Sequence, residues 1–151
     1  MNDVKKSSGL PGTVAFRLGT LGSAVTDRFA ARIESYDLKP KHAGVLTALS
    51  IGQAASQQEL AATLGVAPSL VVALADHLER LGAIERVRDP ADRRRQVLTL
   101  TDHGRELLRS CEKAARDLDG ELTAGLTTAE RAAFLRALGM LAGEAGLPTG
   151  E

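Results

Sequence analysis

Apolar positions recur every three or four residues along most of this chain, and two short β candidates interrupt that helical spacing. Val14, Leu18, Leu21, Val25, Phe29 and Ile33 form the first stripe, which predicts an amphipathic helix from Val14 to about Tyr36. Pro40 suits the first turn of a second helix, whose Ala43, Leu46 and Leu49 share a face before Gly52 ends it. Ser56-Gln57-Gln58-Glu59 reads as a capping box, in which hydroxyl and carboxylate satisfy reciprocal backbone donors, so a third helix starts at Gln57. It runs through Leu60, Ala61 and Leu64 to Gly65, a residue that tolerates the positive φ of a helix end. After the turn Val66-Ala67-Pro68, a fourth helix reaches Leu81-Gly82. Ile84 to Arg88 and Gln96 to Leu100 are short strands. Thr101 caps a helix from Asp102 to about Leu118, with Leu107 and Leu108 on its apolar side. A second capping box, Thr127 to Glu130, opens the last helix through Phe134, Leu135, Leu138 and Leu141, with Gly143 or Gly146 near its end. The polar residues before Pro11-Gly12, Lys5 and Lys6 among them, suit a flexible tail over residues 1–11. The predicted order is α-α-α-α-β-β-α-α: mainly α with a small β-hairpin.

The third and fourth helices, Gln57 to Leu64 and Pro68 to Leu81, have the spacing of a helix-turn-helix. Ala61 is small where the second helix must cross closely, and Gly65 bends the chain. Leu60, Leu64, Val66, Val71 and Leu74 supply the contacts that hold the angle. Such pairs also occur as plain packing units. The hairpin that follows converts the pair into a winged helix, in which one helix enters the major groove and the wing reaches backbone or minor groove beside it.

Charge strengthens this expectation. Lys+Arg and Asp+Glu total 19 each, so binding to a polyanion must rest on a local patch rather than bulk charge. That patch runs from the first strand to the start of the second: Arg86, Arg88, Arg93, Arg94 and Arg95 stand against only Asp89 and Asp92. An arginine-tipped hairpin suits phosphates and a narrow groove; the competing role is a solvated charged loop. At 44% hydrophobic, 25% charged and 3% aromatic without tryptophan, Ala, Leu and Val must fill the core. No apolar run of 18 residues exists, and Met1 to Leu10 lack the stretch of a secretory signal, which together with a single cysteine, Cys111, suits a cytoplasmic protein.

Four segments carry a resemblance: Gln58 to Val66 (QELAATLGV), Leu78 to Arg86 (LERLGAIER), Asp89 to Arg94 (DPADRR) and Leu100 to Gly104 (LTDHG). Over roughly residues 14 to 145 the chain resembles the MarR family of bacterial transcriptional regulators, the Asp-x-Arg wing followed by Leu-Thr-x-x-Gly being the most specific element. The resemblance implies a homodimer whose first and last two helices intertwine, so that 12–37 and 102–146 form a dimerisation region and 38–101 a winged helix-turn-helix domain. It further implies palindromic double-stranded operators, repression, and relief by a small aromatic or phenolic ligand. Arg94 matches the family's minor-groove arginine and Asp92 the carboxylate that helps hold the wing. A carboxylate at that place can fix a guanidinium by bidentate hydrogen bonds; offsetting local repulsion is the alternative. Arg93 and Arg95 would flank phosphates.

The recognition helix departs from the family pattern. Where relatives often carry Ser or Thr followed by Arg, this chain has Val72 and Ala73, leaving Ser69, Asp76 and His77 as polar candidates. Val72 and Ala73 can meet thymine methyl groups, and Ser69 a base edge or phosphate. Ser56 and Pro68, at the two helix starts, complete the candidate interface. Arg80, Arg86 and Arg88 are backbone candidates, with pairing to Glu79 or Glu85 the competing role.

The ligand cleft implied by the resemblance would draw on the first two helices and the one starting at Asp102, with Arg17, Phe29, Tyr36 and His42 as candidate contacts. A core role competes for Phe29. Ala15 and Phe16 stand where peroxide-sensing relatives place a cysteine, and Cys111 reads as a buried, unreactive thiol. His42, His77 and His103 fall on separate elements, which argues against a zinc site. No cofactor is expected. No nucleophile with a base, paired carboxylates or Gly-rich phosphate loop has a usable spacing, so an enzyme is not expected either. The alternative to a specific regulator is a winged-helix module for nonspecific DNA binding or protein contacts, to which the apolar face at Val72 and Ala73 gives room.

Overall fold

The computed structural model describes residues 9–149, so most of the tail expected over residues 1–11 lies outside the described residues. Leu10–Gly12 form a short 3-10 turn. The elements are α1 (Val14–Ile33), α2 (Pro40–Gly52), α3 (Gln57–Leu64), α4 (Pro68–Arg80), β1 (Ile84–Arg88), β2 (Gln96–Leu100), α5 (Asp102–Leu122) and α6 (Thr128–Glu144). Every predicted element is present. The first helix gives way to a 3-10 turn at Glu34–Tyr36, and the fifth runs a turn beyond Leu118. The chain divides into two compact units between Ala115 and Arg116.

The core of the first unit lies where α1's end, α2, α3, α4, the hairpin and the start of α5 converge. Ile33, Val45, Leu46, Leu49, Leu60, Val71, Ala75, Leu78, Ile84 and Leu98 are buried there, with Leu107, Leu108 and Cys111 from α5. Burying each of the large aliphatic side chains contributes about 1.5–3 kcal/mol. α3 and α4 turn through 113° at Gly65, whose φ of 63° lies in the left-handed region and lets its N–H reach Ala61 and Ala62 carbonyls. Ala61, 6% exposed, sits where the two helices cross.

β1 and β2 pair antiparallel, with Ile84 opposite Leu100 and Arg88 opposite Gln96. Ala55 adds a bridge to Leu98 through reciprocal backbone bonds of 3.2 and 2.8 Å, tying the residue before α3's cap to the hairpin. This contact has no periodic signature in sequence. The junction into α5 is close: Thr101 N–H bonds the Ala83 carbonyl at 3.0 Å, its hydroxyl bonds the Gly82 carbonyl at 2.5 Å, and a Cβ on Gly104 would stand 2.0 Å from the Ala83 oxygen. Gly104 therefore holds its place because α5 crosses the β1 entry at backbone contact.

The first apolar stripe forms the expected helix but is left largely uncovered. Only Ile33 is fully buried; Val14 is 70% exposed, Leu18 43% and Leu21 56%. α6, opened by the Thr127–Glu130 capping box, contains no buried residue and exposes Phe134, Leu135, Met140 and Leu141. No single helix among the described residues is long and apolar enough to cross a membrane.

Candidate nucleic-acid interface

Three sides of α4 face three surroundings. Val71, Leu74, Ala75 and Leu78 point into the core. Ser69, Val72, Ala73, Asp76 and Arg80 lie on the exposed side, Val72 at 41%. Pro68 opens the helix at its first turn, and Ser56 opens α3 by accepting the Glu59 N–H at 3.2 Å while Glu59 Oε2 accepts the Ser56 N–H at 2.9 Å.

Arg86 spans from β1 to α4. Its guanidinium donates to Asp76 Oδ1 at 2.7 Å and to Glu79, and stands 3.4 Å from Gln57 Oε1. Hydrogen bonds from Arg86 to Asp76 first, then Glu79, hold its pKa above the ordinary arginine value. Arg86 thus takes the competing role of pairing with Glu79, with Asp76 as a second partner in place of Glu85, rather than turning outward to a backbone. The i, i+3 spacing of Asp76 and Glu79 could have flagged a shared partner.

The wing is built by local bonds. Asp89 Oδ1 accepts the Ala91 N–H at 2.9 Å, Asp92 Oδ1 accepts the Arg94 N–H at 3.0 Å, and Asp89 N–H closes the loop on the Arg95 carbonyl at 2.9 Å. Asp92 therefore holds Arg94 through its backbone amide, not by a carboxylate fork on the guanidinium, because an aspartate two residues back naturally makes an Asx turn. Arg93 and Arg94 are exposed, and their side chains, like that of Arg88, make no ion pair or hydrogen bond among the described residues. Arg95 differs: it pairs with Glu59 on α3, with Asp89 4.0 Å away. The Ser56 cap and then Arg95 keep the Glu59 carboxyl below its usual pKa.

His77 also leaves the exposed side. Its Nε2 donates to the Asp37 carbonyl at 2.7 Å, and its ring stacks on His42 with centroids 4.4 Å apart. Histidines that are far apart in sequence are here neighbours, because α2 and α4 pack together. The stacked rings present faces, not converging lone pairs, and no group of three metal-ligating side chains occurs among the described residues. His42 is buried; its Nδ1 accepts the Lys39 N–H at 2.9 Å, and burial first, then His77 and Lys39, lower its pKa to about 4. Burial raises the Cys111 pKa, with the Glu112 charge adding to it.

Beside this stack lies a cavity of about 970 Å³ among α1, α2 and α4. Apolar wall comes from Ala30, Ala31, Leu38, Leu70 and Leu74, while Lys39, Lys41 and Arg80 bring positive charge against Glu34 and Asp37. Of the four ligand candidates only His42 lines it. Arg17 bonds the Pro11 carbonyl at 3.1 Å, Phe29 packs against the core, and Tyr36 is exposed outside the lining. α5 contributes nothing to the lining; α4 does, through Leu70, Ala73, Leu74, His77 and Arg80. That i, i+3, i+4, i+7 series was visible in sequence but merges with the core face of the same helix.

The described fold matches solved structures over most of its length. CouR, a transcriptional repressor bound to a 23-mer DNA duplex, is 31% identical, with 93% of this chain and 99% of that chain covered and a TM-score of 0.76. CouR from Rhodococcus jostii RHA1 bound to p-coumaroyl-CoA is 28% identical, with coverages of 90% and 96% and a TM-score of 0.73. In sequence, a putative transcriptional regulatory protein for the hcr operon of Thauera aromatica is 31% identical over 127 residues, covering 83% of this chain and 76% of that protein. The MarR family model matches residues 36–95, the segment from α2 to the wing. With a relative of that identity and extent, a winged helix of six helices and one hairpin, and the family's wing and Leu-Thr-x-x-Gly residues in place, this chain belongs to the MarR family of transcriptional regulators, which are not enzymes.

Proposed function

We propose that this protein is a homodimeric repressor that binds a palindromic DNA operator and releases it when a small ligand fills the cavity beside α4. One observation carries the DNA-binding part: Arg93 and Arg94 extend from a wing whose backbone is closed by Asp89 and Asp92, beside an α4 face left open. Ser69, Val72, Ala73 and Asp76 meet the major groove; Arg94 enters the adjacent minor groove, where narrow walls enhance negative potential, and Arg93, Arg88 and Arg80 meet phosphates. Ser56 and Pro68 sit at helix N-termini that favour phosphate. Residues 38–101 act as the reading domain. The uncovered apolar residues of α1 and of α6 suit the surfaces that 12–37 and 102–146 offer a second copy. DNA binding by CouR supports the partner, and its p-coumaroyl-CoA complex supports an anionic aromatic or acyl ligand. Lys39, Lys41 and Arg80 supply charge for such a ligand, and Leu38, Leu70 and Leu74 supply apolar wall. The operator-binding role supports a cytoplasmic location.

The test is binding to DNA from its own upstream region against scrambled DNA of equal length at near-physiological salt. A preference of about a thousandfold or more is expected. Arg94→Ala weakens specific binding strongly while the dimer stays folded; unchanged gel-shift titrations would refute the wing assignment. A second reading, a nonspecific module, is favoured by the apolar Val72 and Ala73, and equal, salt-sensitive binding to both DNAs would select it.

A further inference from the structure

The arginines of the hairpin divide into two kinds. Arg88, Arg93 and Arg94 make no ion pair or hydrogen bond through their side chains among the described residues, whereas Arg86 and Arg95 turn back onto the helix-turn-helix. Arg95 occupies the wing's closing point: its N–H donates to the Asp92 carbonyl and its carbonyl accepts from Asp89, each at 2.9 Å. Its guanidinium then reaches α3, where Glu59 uses one oxygen, Oε2, to cap Ser56 and the other, Oε1, to hold Arg95. One carboxylate thus joins the start of α3 to the root of the wing. The Ala55–Leu98 bridge ties the same two elements on the strand side.

We propose that Glu59 and Arg95 form a wing-positioning pair that sets the register of Arg94 toward DNA, and that Arg95 itself is not a phosphate ligand. This rests on the DNA-binding reading above. Both side chains are about half exposed, so the pair adds little to global stability. Its effect falls on the loop it anchors: released, the wing samples more orientations, and an arginine that must enter a narrow groove loses affinity in proportion to the fraction of time it points there.

The test uses the full-length protein with operator DNA and measures affinity across a salt series. Glu59→Gln keeps a capping-box residue at that position but removes the charge. Glu59→Gln and Arg95→Gln are each expected to weaken operator binding about three- to tenfold, and the double variant no further, as for one shared contact. Arg95→Lys restores most of the loss because a cation remains. The slope of log K against log salt stays at the wild-type value in Arg95→Gln, while Arg94→Ala lowers its magnitude by about one contact. Amide order parameters at 91–94 fall in both Gln variants with melting temperature unchanged. A reduced salt slope in Arg95→Gln together with unchanged or tighter binding in Glu59→Gln would overturn the proposal and make Arg95 a phosphate contact. Independent losses that add in the double variant would overturn it too. If wild-type protein shows no preference for operator over scrambled DNA, the DNA-binding reading has failed instead.

Discussion

Gly104→Ala sets two effects against each other. On helix propensity alone alanine is better than glycine in α5 by about 1 kcal/mol. The added Cβ, however, would lie 2.0 Å from the Ala83 carbonyl oxygen, 2.9 Å from its carbon and 3.2 Å from Leu100 Cδ2. Ordinary contact begins near 3.5 Å, so α5 or the β1 entry must retreat by more than about 1 Å. Neither can do so freely. The same carbonyl accepts the Thr101 N–H at 3.0 Å, and the Thr101 hydroxyl caps Gly104 N–H at 3.0 Å, so a retreat stretches the bonds that start the helix. Overpacking of about 1–3 kcal/mol and a weakened backbone bond of about 1 kcal/mol outweigh the propensity gain. The net expectation is a loss of about 2 kcal/mol, or roughly 4–8 °C in Tm for a chain of this size. Urea and thermal unfolding followed by circular dichroism, at fixed protein concentration, measure it. Gly120→Ala is the control: it lies in the same helix with nothing within 4 Å of an added Cβ, and propensity alone applies. A Gly104→Ala protein as stable as wild type, or more so, would refute the close-contact explanation of this glycine.

Other consequences are as direct. Because the folded His42 pKa is lowered to about 4 from 6.5, the unfolded chain binds the extra proton. Stability is then complete above about pH 6.5 and falls between 6.5 and 4, by about 3 kcal/mol at most. Urea midpoints at pH 7.5 and 5 should show this loss, flattened in His42→Gln; an equal loss in both proteins would exclude His42 as the cause. Gly65→Ala forces a Cβ into a φ of 63° and should cost about 1 kcal/mol in the same assay. A charge on the exposed face of α6, as in Leu135→Asp, should shift sedimentation toward monomer with little change in helix content, and an unchanged mass would remove α6 from the dimer surface.

Much of the architecture was legible because its signals are local. Capping boxes at Ser56 and Thr127, Gly65 at its turn, and apolar spacing specify where each helix begins, bends and which side it buries, since those preferences act over a turn or less. The two short β candidates flanking the arginine loop marked the hairpin, whereas the turn-forming role of the wing's aspartates emerged only from the structure. What side chains do across elements was decided by tertiary packing. Arg86 and Arg95 looked like their neighbours Arg88, Arg93 and Arg94 until α4 and α3 brought Asp76, Glu79 and Glu59 within reach. His42 and His77, 35 positions apart in the sequence, became a stack only because α2 lies on α4. The cavity likewise depends on which side of α4 remains after the core and the wing have taken theirs. Helix existence is a property of a few consecutive residues, whereas pairing and cavities depend on distances between elements, and a linear pattern carries no record of those distances.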